Sequence, residues 1–229
     1  MGTRAADPSA LRAGRDIGRR VAELGCGVVS GGAMGVDAAA HWGALEAGGV
    51  SVAILAGGVD RPSPRRNATL FEALLSGPGG IWSERPPGTR PARWAFPRRN
   101  RLIAAAARLV VVVQARRGSG SLLTAEHAQR LRRPLAVAPS GWRDVSREGC
   151  ADLLRRGATP LMGEEDLDRL LEASGPRLAD PPQGDEGRAL DLLRAGALGP
   201  DGIADATGWE VPRCLALMTA LEVGGWWTP

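Results

Sequence analysis

The stretch that decides the fold is Val28–His41, VVSGGAMGVDAAAH. Two β-branched residues lead into paired glycines, and a run of alanines follows Gly35, which predicts a strand, a tight loop and a helix. Glycine lets a backbone approach a ligand closely, and the first turn of a helix presents unpaired N–H groups. The stretch therefore predicts a phosphate-binding loop, with a tight turn that binds nothing as the alternative.

The chain on both sides of this loop alternates helix and strand. Apolar spacing predicts helices at 11–24, 36–46, 67–75, 99–107 and 122–130, and strands at 27–30, 51–55, 80–83, 109–115 and 134–138. Strands separated by helices predict an α/β fold with a Rossmann-like, doubly wound parallel sheet. Ligands of such sheets bind at the carboxyl ends of the strands.

A break rich in proline, glycine and acid at 180–185 divides the sequence. We expect a domain at 1–175, a linker at 176–186 and a small C-terminal module at 187–229. Helices predicted at 189–196, 203–207 and 211–221 make this module all-α and winged-helix-like. The pattern leaves open whether the module binds DNA or only packs against protein.

Composition limits the partners and the compartment. The chain has 229 residues, its 29 basic residues are all arginine, and its net charge is +4, which permits a polyanionic partner. Three widely spaced cysteines form neither a disulfide framework nor a metal cluster, which favours a reducing cytoplasm. No apolar run approaches the roughly 20 residues of a membrane span, and we expect no signal peptide, membrane partner or metal.

Two further stretches carry phosphate-binding chemistry. Gly118–Ser121, GSGS, follows a predicted strand and opens a predicted helix, as the first loop does. Phe96–Arg101, FPRRNR, offers guanidinium groups for phosphates and a ring for a base. The alternative for FPRRNR is a solvated charge run, or an arginine that caps neighbouring strand ends. Trp82 and Trp94 lie near these motifs, and the sequence leaves open whether they stack on bases or pack.

Several cofactors and reactions are disfavoured. The loop lacks the GxGxxG order, and no acid follows the strand at 51–55, which argues against a dinucleotide. Because the chain has no lysine, it has no Walker loop. Asp37 and His41 lie four residues apart on one helix face, where a catalytic pair is conceivable. An acid at a helix start and a locally bonded histidine is the commoner arrangement.

Taken together, the motifs resemble the DprA family, also called Smf, the DNA-processing protein. The resemblance rests on VVSGGAMGVDAAAH, SVAILAGGVD, FPRRNRLIAA and VVVVQA followed by GSGSLLTAEHA, in this order, and covers residues 2–138 most strongly. It implies a cytoplasmic protein that is not an enzyme and needs no cofactor. It also implies that the protein binds single-stranded DNA during natural transformation, protects it, loads RecA recombinase onto it and forms a homodimer.

The resemblance also implies which groups contact DNA. The residues that match the family's phosphate-binding and stacking positions are Arg4, Ser30, Gly31, Gly32, Ala33, Phe96, Arg99, Asn100, Arg101, Gly118, Ser119, Gly120 and Ser121. Family members have a strand before the Gly2-Thr-Arg4 segment, whereas Met1 stands there in this sequence. Either the start is misplaced or the strand is missing, and in the second case we expect a gap or an unpaired edge in the sheet. The wing after the last helix is expected to be truncated near Trp226–Pro229.

One enzyme class is an alternative. Phosphoribohydrolases of the cytokinin-activating type bind nucleoside monophosphates at similar glycine loops and use the Glu of a PGGxGTxxE motif. Here Gly77–Gly80 is misplaced for that motif, and GSGSLLTAE displaces its acid to Glu126. The sequence therefore favours the DNA-binding hypothesis over the nucleotide-hydrolysing one.

Overall fold

The computed structural model of the protein describes residues 1–139, 144–174, 182–197 and 199–223. The chain divides into two compact units, Met1–Leu178 and Ala179–Pro229. The helices are α1 (Pro8–Glu23), α2 (Val36–Glu46), α3 (Ala68–Ser76), α4 (Ala95–Ala106), α5 (Gly120–Arg130), α6 (Glu148–Arg155) and α7 (Glu164–Ala173) in the first unit, and α8 (Gly184–Arg194), α9 (Gly199–Thr207) and α10 (Val211–Val223) in the second. The strands are β1 (Val28–Ser30), β2 (Ser51–Ile54), β3 (Gly80–Trp82), β4 (Val110–Val112), β5 (Leu135–Val137) and β6 (Thr159–Pro160).

The strands of the first unit form two parallel three-stranded sheets, in the orders β1-β2-β3 and β4-β5-β6. Val28 is opposite Ser51 in the first sheet, and Val110 is opposite Leu135 in the second. β-Branched strands such as β4 are buried under helices, as both faces of a parallel sheet must be. The predicted α/β class with a Rossmann-like parallel arrangement is confirmed.

The first residues of the chain lie along the carboxyl end of β4. The Met1 ammonium donates to the Val111 carbonyl at 3.0 Å, and the Val113 N–H donates to the Met1 carbonyl at 3.0 Å. An apolar cavity of about 340 Å³ lies next to Met1, and β1, β4, α1, α4 and α7 contribute to its lining. In the described part of the first unit β1 and β4 belong to separate sheets.

Helix α1 positions α2 and, through it, the first glycine loop. The Asp7 carboxylate caps α1 by accepting from the Ala10 N–H at 2.8 Å, and Pro8 occupies the first turn, where its missing N–H does no harm. The small residues Gly14 and Gly18 are buried on α1 and allow close packing against α2. The observed bounds of α2 are those the sequence predicts, 36–46.

The starts of two helices, α4 and α8, differ from the expected organisation. Helix α4 begins at Ala95, four residues before the predicted start, so FPRRNR is helical rather than a loop. Helix α8 begins at Gly184, inside the predicted linker, and residues 175–181 of that linker lie outside the described residues. The expected truncated wing at Trp226–Pro229 also lies outside them.

The second unit is a small three-helix cluster. Its core consists of buried side chains from all three helices, including Leu190, Ile203, Cys214 and Leu221. Pro212 lies in the first turn of α10, as expected. None of the helices described in either unit is long and apolar enough to cross a membrane.

Candidate nucleic-acid interface

Helix α4 joins the two glycine loops. The Arg99 guanidinium donates to the Gly31 carbonyl at 3.0 Å and to the Ile54 carbonyl at the end of β2. The next side chain, Asn100, donates through Nδ2 to the Gly120 carbonyl at 3.0 Å. Two adjacent residues of one helix therefore hold both loops at the same edge of the fold.

These contacts give Arg99 a positioning role. Its side chain is only 6% exposed, and burial lowers its pKa, an effect that Asp37 opposes. The guanidinium caps strand ends, which is the alternative that the sequence left open for FPRRNR. One edge of Arg99 still lines the pocket described below, so its charge contributes to the potential there.

The first loop is fixed by contacts on several sides. The Gly31 N–H donates to the Asp37 carboxylate at 3.1 Å, and Asn67 Nδ2 donates to the Gly32 carbonyl at 2.9 Å. A Cβ on Gly31 would lie 2.5 Å from Arg99 Nη2, and Gly32 has a φ of +63°. Both glycines are therefore required by geometry, since a side chain would displace Arg99 or strain the turn.

The amides of Ala33 and Met34 are among the donors that this loop leaves available. In the part of the chain that the structure describes, no carbonyl or side chain accepts from these two N–H groups. They directly precede the amino end of α2, where the helix dipole is positive. Unpaired amides at such a position attract an anion.

A small pocket of about 50 Å³ opens beside these amides. Its lining consists of Arg4, Gly31, Ala33, Met34, Ser63, Pro64, Phe96 and Arg99. The exposed Arg4 guanidinium lies 5.2 Å from the centre of the Phe96 ring. The pocket lining thus includes the two residues that carry these amides, an available guanidinium and the half-buried Phe96 ring.

The predicted site residues that do not line this pocket include Ser30, Arg101 and those of the second loop. Ser30 is buried, and its Oγ has no partner among the described residues. Arg101 is about half exposed and pairs with Glu84. In the second loop, Gly118 has a φ of +74° and the Ser119 and Ser121 hydroxyls lie 2.8 Å apart, but this loop is not part of the pocket lining.

Sequence reasoning missed Met34, Ser63, Pro64 and Asn67. The proline-rich segment Arg61–Pro64 supplies two of the lining residues, and its turn chemistry was the available signal. Asn67 directly precedes α3, and nothing in its local pattern indicates a bond to Gly32 across the sheet.

The Asp37 and His41 pair has structural partners. Asp37 binds the Gly31 amide, and His41 Nδ1 lies 2.8 Å from the Ser51 hydroxyl on β2. His41 is fully buried, and burial lowers its pKa to about 4. The imidazole is therefore neutral at pH 7. Among the residues described, no group of three or more His, Cys, Asp or Glu side chains is placed to hold a metal ion.

Comparisons with known proteins identify the family of this chain. A family model described as DNA recombination-mediator protein A matches residues 1–172, and the DprA winged helix domain matches residues 166–227. The chain belongs to the DprA family. A putative DNA-processing protein DprA of Mycobacterium tuberculosis is 38% identical over 98% of this chain and 60% of its own length. The chain thus spans about 60% of the length of this DprA relative.

Two solved DprA structures share the fold. The X-ray structure of DprA from Streptococcus pneumoniae matches with a TM-score of 0.68 and 32% identity over 74% of this chain and 59% of that one. DprA from Helicobacter pylori matches with a TM-score of 0.69 and 30% identity over 76% and 79%. The latter structure was described for its unique mode of binding single-stranded DNA.

Proposed function

We propose that this chain binds single-stranded DNA without reading its sequence. In this proposal one backbone phosphate sits in the pocket, where it accepts from the Ala33 and Met34 amides and pairs with Arg4. The observation that carries the proposal is the pair of unpartnered amides beside the exposed Arg4 guanidinium. Groups of this kind recognise phosphate, which every nucleotide has.

The Phe96 ring gives the site its preference for a single strand. An aromatic face stacks on any base, but only where the base is not already stacked inside a duplex. Phe96 lies beside the phosphate pocket and carries Arg4 over its ring. We therefore expect a single strand to bind more tightly than a duplex of equal length.

Charge supports a polyanionic ligand for the first unit. Residues 1–178 contain 26 arginines and 17 acidic residues, which gives a formal charge of +9. Residues 179–229 contain three arginines and eight acidic residues, which gives −5. A basic first unit attracts a phosphate backbone, and binding that depends on it weakens with salt.

The wider role that we propose follows from membership of the DprA family. The chain would protect incoming single strands during natural transformation, load RecA recombinase onto them in the cytoplasm, and act as a homodimer. No bond-making step belongs to this proposal. The proposal includes DNA contacts at Gly32, Asn100, Arg101 and Gly118–Ser121. These residues would continue the path of the strand beyond the pocket.

Titration of a labelled oligo-dT at two salt concentrations tests the proposal. Binding is expected to be saturable and to weaken with salt. Arg4→Ala should reduce affinity about tenfold and lower the slope of log affinity against log salt by about 0.7, the value for one phosphate contact on a single strand. The matched control is Arg12→Ala, which removes an exposed arginine of α1 that does not line the pocket.

Two results would contradict the proposal. One is the absence of saturable oligo-dT binding together with hydrolysis of AMP to adenine and ribose phosphate, which would favour the phosphoribohydrolase alternative. The other is an equal loss of affinity in Arg4→Ala and Arg12→Ala, which would show that general charge, rather than the pocket, holds the strand.

A further inference from the structure

Trp94 forms an exposed aromatic platform at the start of α4. Its side chain is 55% exposed, and it occupies the N-cap position of the helix. The Arg85 guanidinium lies 4.6 Å from the ring centre, and the Arg98 guanidinium lies 5.7 Å from it. Guanidinium groups over a tryptophan ring hold the ring in place and leave the platform positively charged.

The platform lies on the same helix as two residues of the phosphate pocket. Trp94 precedes Phe96 by two residues and Arg99 by five, which corresponds to an axial rise of about 3 Å and about 7.5 Å. Because residues two apart on a helix lie on different sides of it, Trp94 and Phe96 do not share one face of α4. A strand anchored in the pocket therefore reaches Trp94 by passing around the amino end of α4.

The surroundings of Trp94 suit a polyanion and not a cation. Between positions 85 and 101 the chain has six arginines and no acidic residue. Arg90, Arg93 and Arg98 are exposed. Glu84, the acid next to this segment, already pairs with Arg101. An aromatic ring surrounded by available guanidinium groups matches the two parts of a nucleotide, because the ring takes the base and the arginines take the phosphate.

We propose that Trp94 is a second base-stacking position, which extends the single-strand path from the Phe96 pocket over the amino end of α4. This inference rests on the proposed function, since it assigns to the same ligand a contact outside the pocket. The ligand class is any nucleobase of a single strand. Arg85 and Arg98 orient the ring and contact the neighbouring phosphates.

The test compares two ligands, an oligo-dT and an abasic strand of the same length, which has the same phosphates but no bases. Trp94→Ala is expected to lower the affinity for oligo-dT about tenfold, because base–aromatic stacking contributes roughly 1–3 kcal/mol per base. The variant should leave the affinity for the abasic strand unchanged. Trp94→Phe should retain most of the oligo-dT affinity. In this variant, the quenching of tryptophan fluorescence that oligo-dT causes in the unaltered chain should be mostly lost.

The outcomes separate this inference from the proposed function. If Trp94→Ala weakens both ligands equally, the ring only positions the arginines, and the stacking role is wrong. If it weakens neither, Trp94 lies off the path. Either result leaves the proposed function standing, whereas failure of the unaltered chain to bind oligo-dT would overturn both.

Discussion

The two units of this chain each place a tryptophan between two arginines, but in opposite settings. Trp94 in the first unit is 55% exposed in an arginine-rich segment. Trp209 in the second has Arg188 at 5.6 Å and Arg213 at 4.9 Å, packs against the three-helix core, and belongs to an acidic unit. Because the two tryptophans have the same local pairing, our proposal for Trp94 rests on its exposure and on the positive charge around it.

The arginines differ between the units in the same way. Arg99 is buried and bonds to backbone carbonyls of two strand ends, so it determines the shape of the site. Arg213 is about half exposed and pairs with Asp185 at the surface. In the first unit the buried guanidinium of Arg99 holds loops in place, whereas in the second unit the nearby Asp185 neutralises the charge of Arg213.

The largest expected effect comes from Arg99→Ala. The substitution leaves the Gly31 and Ile54 carbonyls without a donor, and the free energy of unfolding should fall by about 3 kcal/mol, since each buried unsatisfied group costs about 1–3 kcal/mol. The matched variant Arg213→Ala should change it by about 1 kcal/mol or less, because solvent screens exposed pairs. Urea denaturation monitored by circular dichroism measures both. Equal decreases in the free energy of unfolding would show that Arg99 and Arg213 contribute equally to stability.

The second effect is a pH dependence that belongs to the first unit. The pKa of His41 is about 4 in the folded protein and about 6.5 when unfolded, so below pH 6.5 the unfolded chain binds a proton that the folded one does not. Stability should therefore be fully present above pH 6.5 and fall as the pH decreases toward 4, by about 2 kcal/mol at pH 5. Asp7, with a pKa of about 2, titrates below this window.

His41→Asn isolates this contribution. The slope of stability against pH between 5 and 6.5 should be smaller in the variant than in the unaltered chain, whatever the absolute stabilities. Denaturant titrations at four pH values would show it. Parallel profiles for the two proteins would mean that His41 does not carry the pH dependence.

The smallest effect is expected at Trp209. Trp209→Phe keeps an aromatic ring against the core, and the acidic unit around it repels a phosphate backbone. Oligo-dT affinity should therefore change less than about twofold, within the range of surface substitutions away from an interface. Fluorescence anisotropy measures this change. A tenfold loss would show that the second unit also contacts the strand, and the contrast between the units would have to be abandoned.

Part of this architecture was predictable from local patterns. Helix α2 has its predicted bounds because the glycines before it and the small residues within it both predict a helix that starts after Gly35. The predicted start of α4 at residue 99 was wrong, because the helix already begins at Ala95 with Pro97 in its first turn, where proline is tolerated. Both glycine loops were predicted between a strand and a helix, and the bonds from Arg99 and Asn100 hold them together.

The burial of Arg99 could not be predicted from the sequence. The sequence left open whether FPRRNR is a solvated run or holds an arginine that caps strand ends, and only the tertiary fold brings the ends of β1 and β2 within reach of Arg99. The partner of Asn67 is of the same kind, because Gly32 is adjacent in space but 35 residues away in the chain. The available amides of Ala33 and Met34 could not be predicted either, because an unpaired donor is recognised only when the hydrogen-bond partners of the neighbouring groups in the fold are known.

The most direct test of the account follows the backbone amides of Ala33 and Met34 by NMR during a titration with oligo-dT. The account predicts that both resonances shift with the same saturation curve as the bound fraction, and that Arg4→Ala weakens that curve. Saturable binding of oligo-dT that leaves these two amides unmoved, while resonances elsewhere shift, would contradict it.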